Sequence, residues 1–415
     1  MTLTQTALAL DAGAIGRISD RLDDPAWLRE LRAAWWERAS TTPPPTGQEE
    51  EWRRTSLDGL PRDAELLIDA PLLETHLPPG AAEAGVILTD LRTAVREHPE
   101  LVERFLGRAD GPTSHAHFWA LAQAAWTGGL FCHVPRGVTV DGTLVARTTL
   151  TRADVAYHPV SVVVAEEGST VTLLEEVVSP DGDAGWFGGI VDLRAAQGAR
   201  VRYANLQQLG DGAWRVGAER VVVDQDATVT TLNAEVGSRV TKLGLDVLMT
   251  GKGGTSKVLG ILAAGDDQQI DINTVQDLAA DHTTSDLLYL SALYDRAHAS
   301  FYGITNVRHG TRQTSSYQEC RNLLLSPEAG AEPIPVLEIE ANDILRCGHG
   351  ATAGAIDPTT LFYAQTRGLD PDAAERMIVR GFFEQVVAQI VDTTIRERIL
   401  AALAGRIGST EEQAA

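Results

Sequence analysis

The feature that most limits what this chain can fold into is a short strand-like unit that recurs through its centre. Gly168-Ser-Thr-Val171, Gly198-Ala-Arg-Val201, Ala227-Thr-Val229, Thr255-Ser-Lys-Val258 and Ser285-Asp-Leu287 each run from a small residue into an aliphatic one, and their last residues stand 30, 28, 29 and 29 positions apart. Around them Val, Thr, Ile and Leu alternate in short runs separated by Gly, Asp or Ala, as strands and turns require. A unit of this size cannot cover its own apolar face and so stacks on its neighbours. A parallel β-helix suits it better than a propeller, because each unit is short. A β-sandwich with chance turn spacing is the competing architecture.

The flanks have the helical period. Trp27, Leu28, Leu31 and Trp35 fall on one face of a helix from Pro25 to about Arg38, which Thr41-Thr-Pro-Pro-Pro-Thr-Gly47 ends by removing donors and excluding helical geometry. Leu101, Phe105, Phe118, Leu121 and Ala124 continue the pattern. At the other end Asp370 caps a helix with Pro371 at its first position, and Met377, Ile378, Phe382, Val386 and Ile390 follow at helical spacing. Gly408-Ser-Thr-Glu-Glu-Gln-Ala-Ala415 has nothing to bury and is expected to fray. The reading is therefore a mainly β chain: an N-terminal helical domain (1–125), a β-helix core (126–345) and a C-terminal helical domain (346–415).

Bulk properties narrow the function. The 415 residues carry 35 Lys and Arg against 57 Asp and Glu, and a net charge of −22 opposes attraction to nucleic acid or anionic lipid. The N-terminus lacks a basic start, and no run of about 18 apolar residues could span a bilayer. Three cysteines, Cys132, Cys320 and Cys347, suit a reducing compartment, so a cytoplasmic location is expected.

Several motifs invite chemistry. Gly251-Lys-Gly-Gly-Thr-Ser-Lys257 lacks the order of a phosphate loop and is followed by strand-like Val258-Leu-Gly-Ile261, so it reads as a turn between coils. His115 and His117 form a His-x-His pair without a third ligand nearby in sequence, and a helix-start loop is the simpler reading. Cys347 and His349 stand two residues apart, a thiol and an imidazole that both suit iron or zinc. Cys320 lies 27 residues upstream, near the repeat length, so a β-helix could stack it beside Cys347. Asp271, Asp277 and Asp281 give a weak carboxylate cluster of the kind a β-helical carbohydrate-active enzyme would need. A purely structural interaction protein is the third reading.

A more specific signal runs from Gln318 to Phe383. Arg321-Asn-Leu-Leu-Leu-Ser326, Val336-Leu-Glu-Ile-Glu340, Asp343-Ile-Leu-Arg-Cys-Gly-His-Gly-Ala-Thr352, Leu361-Phe-Tyr363, Thr366-Arg-Gly-Leu369 and Arg380-Gly-Phe-Phe383 resemble, in order and spacing, the core of the SufB/SufD family of the SUF iron–sulfur assembly system. Trp126-Thr-Gly-Gly-Leu-Phe-Cys-His-Val-Pro-Arg-Gly137 resembles that family's first turn into its β-helix, and Gly47-Gln-Glu-Glu-Glu-Trp-Arg-Arg-Thr55 resembles the SufD N-terminal region. The SufD branch fits better than SufB, which has a carboxylate where Gly350 follows His349 here.

The resemblance implies a right-handed parallel β-helix flanked by helical domains and a non-catalytic scaffold. It implies pairing with a SufB-type sister subunit, a SufC-type ABC ATPase on the C-terminal helices, and a transient iron–sulfur cluster shared with SufB; a homodimer is a further possibility. By the same carry-over His349 is the first candidate for holding nascent iron, ahead of Cys347 and Cys320. Cys320 departs from the pattern, since its surroundings line up with the place where SufB usually has its assembly cysteine. It is either a second soft ligand or a small core residue.

Overall fold

The computed structural model describes residues 10–69 and 72–407. Helices α1 (Ala12–Leu22), α2 (Ala26–Thr41), α3 (Leu91–Glu97), α4 (Pro99–Phe105) and α5 (Ala116–Ala125) and short strands β1 (Glu65–Leu66), β2 (Leu72–His76) and β3 (Ile87–Asp90) come first. Then the chain winds as a parallel β-helix of about 8 turns, each contributing one strand to each of two sheets. Sheet one stacks β4 (Leu130–Val134), β7 (Val160–Ala165), β10 (Ile190–Ala195), β12 (Trp214–Val223), β14 (Val240–Met249), β16 (Gln269–Leu278), β18 (His298–Val307) and β20 (Gly330–Ile339). Sheet two stacks β5 (Thr139–Thr149), β8 (Thr170–Val178), β11 (Arg200–Gln208), β13 (Thr228–Glu235), β15 (Thr255–Ala264), β17 (Thr284–Leu293), β19 (Arg312–Leu324) and β21 (Asp343–Ala355). Two short strands, β6 (Val155–Tyr157) and β9 (Trp186–Phe187), attach beside sheet one.

The repeat read from the sequence is the repeat of the coils, with one correction. Val171 pairs with Val201, Val201 with Val229, and Val258 with Leu287, but Val229 pairs with Ser256 and not with Val258. The slip is two residues, and because side chains alternate across a strand it leaves the same face pointing inward. The corner from sheet one to sheet two repeats as well. Gly168, Gly198, Asp226, Gly253 and His282 all have left-handed backbone, and the amide of each donates to a carbonyl of the next coil. Glycine at positions 168, 198 and 253 takes this left-handed backbone without steric cost. Gly251–Gly254 is one of these corners, which disposes of the phosphate-loop reading.

Each sheet is buried on both faces over much of its length. Leu173, Val201, Val221, Leu243 and Ile272 point into the solenoid, while their neighbours point out. The outward Val160, Val162, Ile190 and Val216 of sheet one receive α2, α5 and Trp52; the outward Leu174, Leu206, Leu232 and Ile261 of sheet two receive α7 (Pro371–Val387) and α8 (Thr393–Ile407). Near-continuous apolar strands follow from this two-sided burial.

Three details differ from the sequence reading. The first 125 residues also supply β2 and β3, which pair antiparallel with β5 and β4 and so cover the edge of the first coil. Strand β21 runs to Ala355, so the boundary expected at 345 falls inside it and the C-terminal helices begin with α6 (Pro358–Thr366). In α7 the buried face is Ala374, Val379, Phe383, Val386 and Val387, which leaves Met377 exposed. The tail Gly408–Ala415 lies outside the described residues.

Candidate metal-ligating site

The last coil ends the stack, since β20 and β21 are the outermost strands of their sheets. Along β21, Cys347 pairs with Ser316 and His349 with Gln318. Residues aligned in a parallel pair share a face, and Ser316 and Gln318 are buried inside the solenoid. Cys347 and His349 therefore project over its open end. Lacking a following coil, His349 is exposed and Cys347 half-buried. Their Cα atoms are separated by roughly 7 Å, two strand residues, so both can reach toward one guest.

Local sequence explains the presentation. Gly348 and Gly350 flank His349, and Cβ atoms there would stand 3.4 and 3.2 Å from the Tyr317 ring and hydroxyl. The Arg346 guanidinium lies 4.3 Å from the centre of the same ring. Glycine at these outward positions thus lets Tyr317 lie along the back of β21. Beneath the inward face is a polar layer: Gln318 Nε2 donates to Thr305 Oγ1 at 3.3 Å, Thr305 Oγ1 donates to Gln276 Oε1 at 3.3 Å, and Ser316 Oγ donates to the Ser285 carbonyl at 2.8 Å. Gln318 Oε1 has no hydrogen-bond partner among the described residues. The sequence reading missed these groups. Their signal was polar residues at positions where the alternation demanded apolar ones.

Cys320 does not stack on Cys347. The offset between β19 and β21 is 31 residues, not 27, so Cys320 pairs with Ala351. It is 2% exposed, packed in the solenoid core near Tyr289, and Asn322 Nδ2 approaches its sulfur at 3.6 Å. Burial pushes its thiol pKa up to about 12 and that of Cys132 equally, so neither is a ready thiolate; Cys347 is raised by burial as well.

The other sequence candidates have structural partners. His115 is buried with its Nδ1 2.9 Å from Ser114 Oγ, and His117 Nδ1 lies 2.8 Å from the Thr42 carbonyl. Asp271 accepts from Lys242 at 2.8 Å and Thr55 at 2.6 Å, Asp277 holds Arg308, and Asp281 accepts the Arg312 amide at 2.9 Å. Among the described residues no group of three or more His, Cys, Asp or Glu could hold a metal ion. Two ligands such as His349 and Cys347 would grip iron weakly, and an iron–sulfur cluster needs more than the pair.

The chain matches the family model for the SUF system FeS cluster assembly SufBD core domain over residues 148–382, and that for the SufBD protein N-terminal region over residues 47–145. It is 26% identical to the iron–sulfur cluster assembly protein SufD of Bacillus subtilis, across 97% of this chain and 99% of that one. It is also 26% identical to iron–sulfur cluster assembly SufBD family proteins of Staphylococcus saprophyticus and Staphylococcus epidermidis over 74% of this chain, a match that spans 66% of those relatives. Cys320, Cys347 and His349 all lie inside the core match.

Proposed function

Because the chain belongs to the SufBD family of iron–sulfur cluster assembly proteins, we propose that it is the SufD-type scaffold subunit of a cytoplasmic SufBCD complex, and that His349, helped by Cys347, holds iron or nascent cluster at the contact with a SufB-type sister. The observation that carries this reading is the projection of both side chains over the open end of the solenoid, with too few ligands for a cluster in one chain. The cluster is cargo. An imidazole on an exposed strand suits it, because a site that must release its cargo needs a moderate hold.

The two edges of the last coil support docking at β21. In β20, Gly330 donates its amide to the Ala297 carbonyl just before β18, and Glu340, just past the strand, donates to Val307 at the end of β18, so the odd positions Pro333 and Pro335 face the open edge, where they lack donors. β21 contains no proline over its 13 residues and carries exposed Leu345, so its edge can accept a partner strand. Directly after β21 in the chain, Phe362 and Tyr363 of α6 and Met377 of α7 are exposed, apolar surface suited to an ABC-type ATPase. Movement of that ATPase would reach the solenoid through α7 and α8, which are tied to it by Arg321–Gln385 at 2.7 Å and Arg398–Glu176 at 3.4 Å. This chain itself does no hydrolysis in this scheme.

The test is iron and acid-labile sulfide in the anaerobically purified complex of this chain with its SufB-type and SufC-type partners, comparing wild type with His349→Ala. An intact complex whose iron and sulfide fall sharply places His349 in the assembly site. Unchanged loading removes it and leaves a purely structural role for this chain's Cys and His residues.

A further inference from the structure

A cleft of about 570 Å³ lies far along the chain from the terminal coil's ligands, between the outer face of sheet one and the segment 108–114. Its volume is that of a small-molecule site. The floor is set by register: Arg220 pairs with Asp246 and Asp246 with Val275, while one pleat away Asn273 pairs with Tyr302. The intervening Val221, Leu245 and Ile272 belong to the solenoid core, so this polar row must face out into the cleft.

Charge in the cleft is unevenly satisfied. Asp277 holds Arg308 at 2.8 Å and receives Asn306 at 3.3 Å. Arg220 reaches Asp192 at 3.6 Å, and Arg108 turns its Nε to the Glu103 carbonyl at 2.8 Å. The arginines are thus engaged. Asp246, half-buried on the cleft floor, makes no hydrogen bond or ion pair among the described residues. Burial first, then the neighbouring Asp277, raise its pKa to about 7, against the pull of Arg220. Beside it in the wall, Asn273 is 4% exposed and both atoms of its side-chain amide lack a hydrogen-bond partner among the described residues. Leaving the buried Asn273 amide unpaired costs about 1–3 kcal/mol, which a guest of matching chemistry would recover, while the half-buried Asp246 carboxylate offers a cation an unengaged partner.

We propose that this cleft binds a small organic cation, a guanidinium or ammonium compound that also carries a carboxamide, with the cation on Asp246 and the carboxamide against Asn273. An amide offers Asn273 one donor and one acceptor together, and a cation pairs with the otherwise unengaged Asp246 carboxylate. The site is independent of the cluster-assembly reading.

The probe is Nα-acetyl-L-argininamide (argininamide below), titrated calorimetrically into the full-length chain at pH 8, with Nα-acetyl-L-citrullinamide (citrullinamide below) as its uncharged near-isostere. Saturable one-to-one binding is expected, at least about tenfold weaker for citrullinamide and for argininamide on Asp246→Asn, the scale of one charged hydrogen bond. Asn273→Ala should weaken argininamide by about fivefold or more. Absence of saturable heat up to about 10 mM, a range that covers even millimolar affinity, overturns the proposal. So does equal affinity for the two amides, a comparison that needs only the wild-type chain and stands even if a variant fails to fold.

Discussion

Replacing Lys242 by Met should free the Gly47–Thr55 segment from the solenoid while the coils themselves remain folded. Lys242 is wholly buried on β14, with its ammonium 2.8 Å from Asp271, donating also to the Glu51 carbonyl and lying 4.9 Å from the centre of the Trp52 ring. Thr55 donates to the same Asp271 carboxylate at 2.6 Å. Removing one partner of a buried ion pair costs about 3–5 kcal/mol, chiefly because the other charge is left uncompensated. The Thr55 hydroxyl still serves Asp271, so the lower end, about 3 kcal/mol, is expected, which is on the order of a hundredfold rise in local opening. Hydrogen exchange of peptides covering residues 47–60 reads this directly. Lys242→Met/Asp271→Leu should recover most of the lost protection, since it removes the stranded carboxylate. A change under about tenfold in Lys242→Met, or a double variant no better than the single one, would refute the reasoning.

Two more outcomes follow from the same geometry. Under native conditions iodoacetamide should modify Cys347 and leave Cys132 and Cys320 untouched until the chain is unfolded, because the latter thiols are fully buried and their pKa values stand near 12; peptide mass spectrometry checks it. Glu219, inside the solenoid with Arg215, Glu235 and Glu175 around it, has its pKa raised from 4.5 to about 7, first by burial. A carboxyl raised in the folded state binds more protons there than in the unfolded chain, so stability falls as pH rises from about 4.5 to 7 and then levels off. The loss is at most about 3 kcal/mol. Glu219→Gln should flatten that stretch of the pH dependence of thermal unfolding, and an unchanged profile would assign the effect to another group.

Much of the architecture could be read from the chain because it depends on local, periodic rules. Strand alternation, turn residues with left-handed backbone and a coil length near 29 residues are all properties of short segments, and the resemblance around Asp343–Thr352 singled out His349 and Cys347 from sequence order alone. What local rules lack is the stacking offset. The slip between Val229 and Ser256, and the offset that sets Cys320 beside Ala351, depend on how many residues each corner absorbs, and corners vary. Phe382 and Val386 of α7 and Ile390 beyond it do pack on the solenoid as expected, but Met377 stays exposed for a related reason. Met377, Ile378 and Val379 are all apolar, and only the outward row of sheet two decides which of them it covers.

Sequence by itself therefore determined the kind of fold, the family and the residue types available for holding iron, since these rest on periodicity and on residues near one another in the chain. Tertiary structure alone decided which of those residues are accessible. It buried Cys320 in a packed core, left His349 uncovered because no coil follows β21, engaged the carboxylates of Asp271 and Asp277 with Lys242 and Arg308, and left Asp246 and Asn273 without partners in a cleft. Burial and pairing are sums over neighbours from distant coils, and a one-dimensional pattern does not contain them.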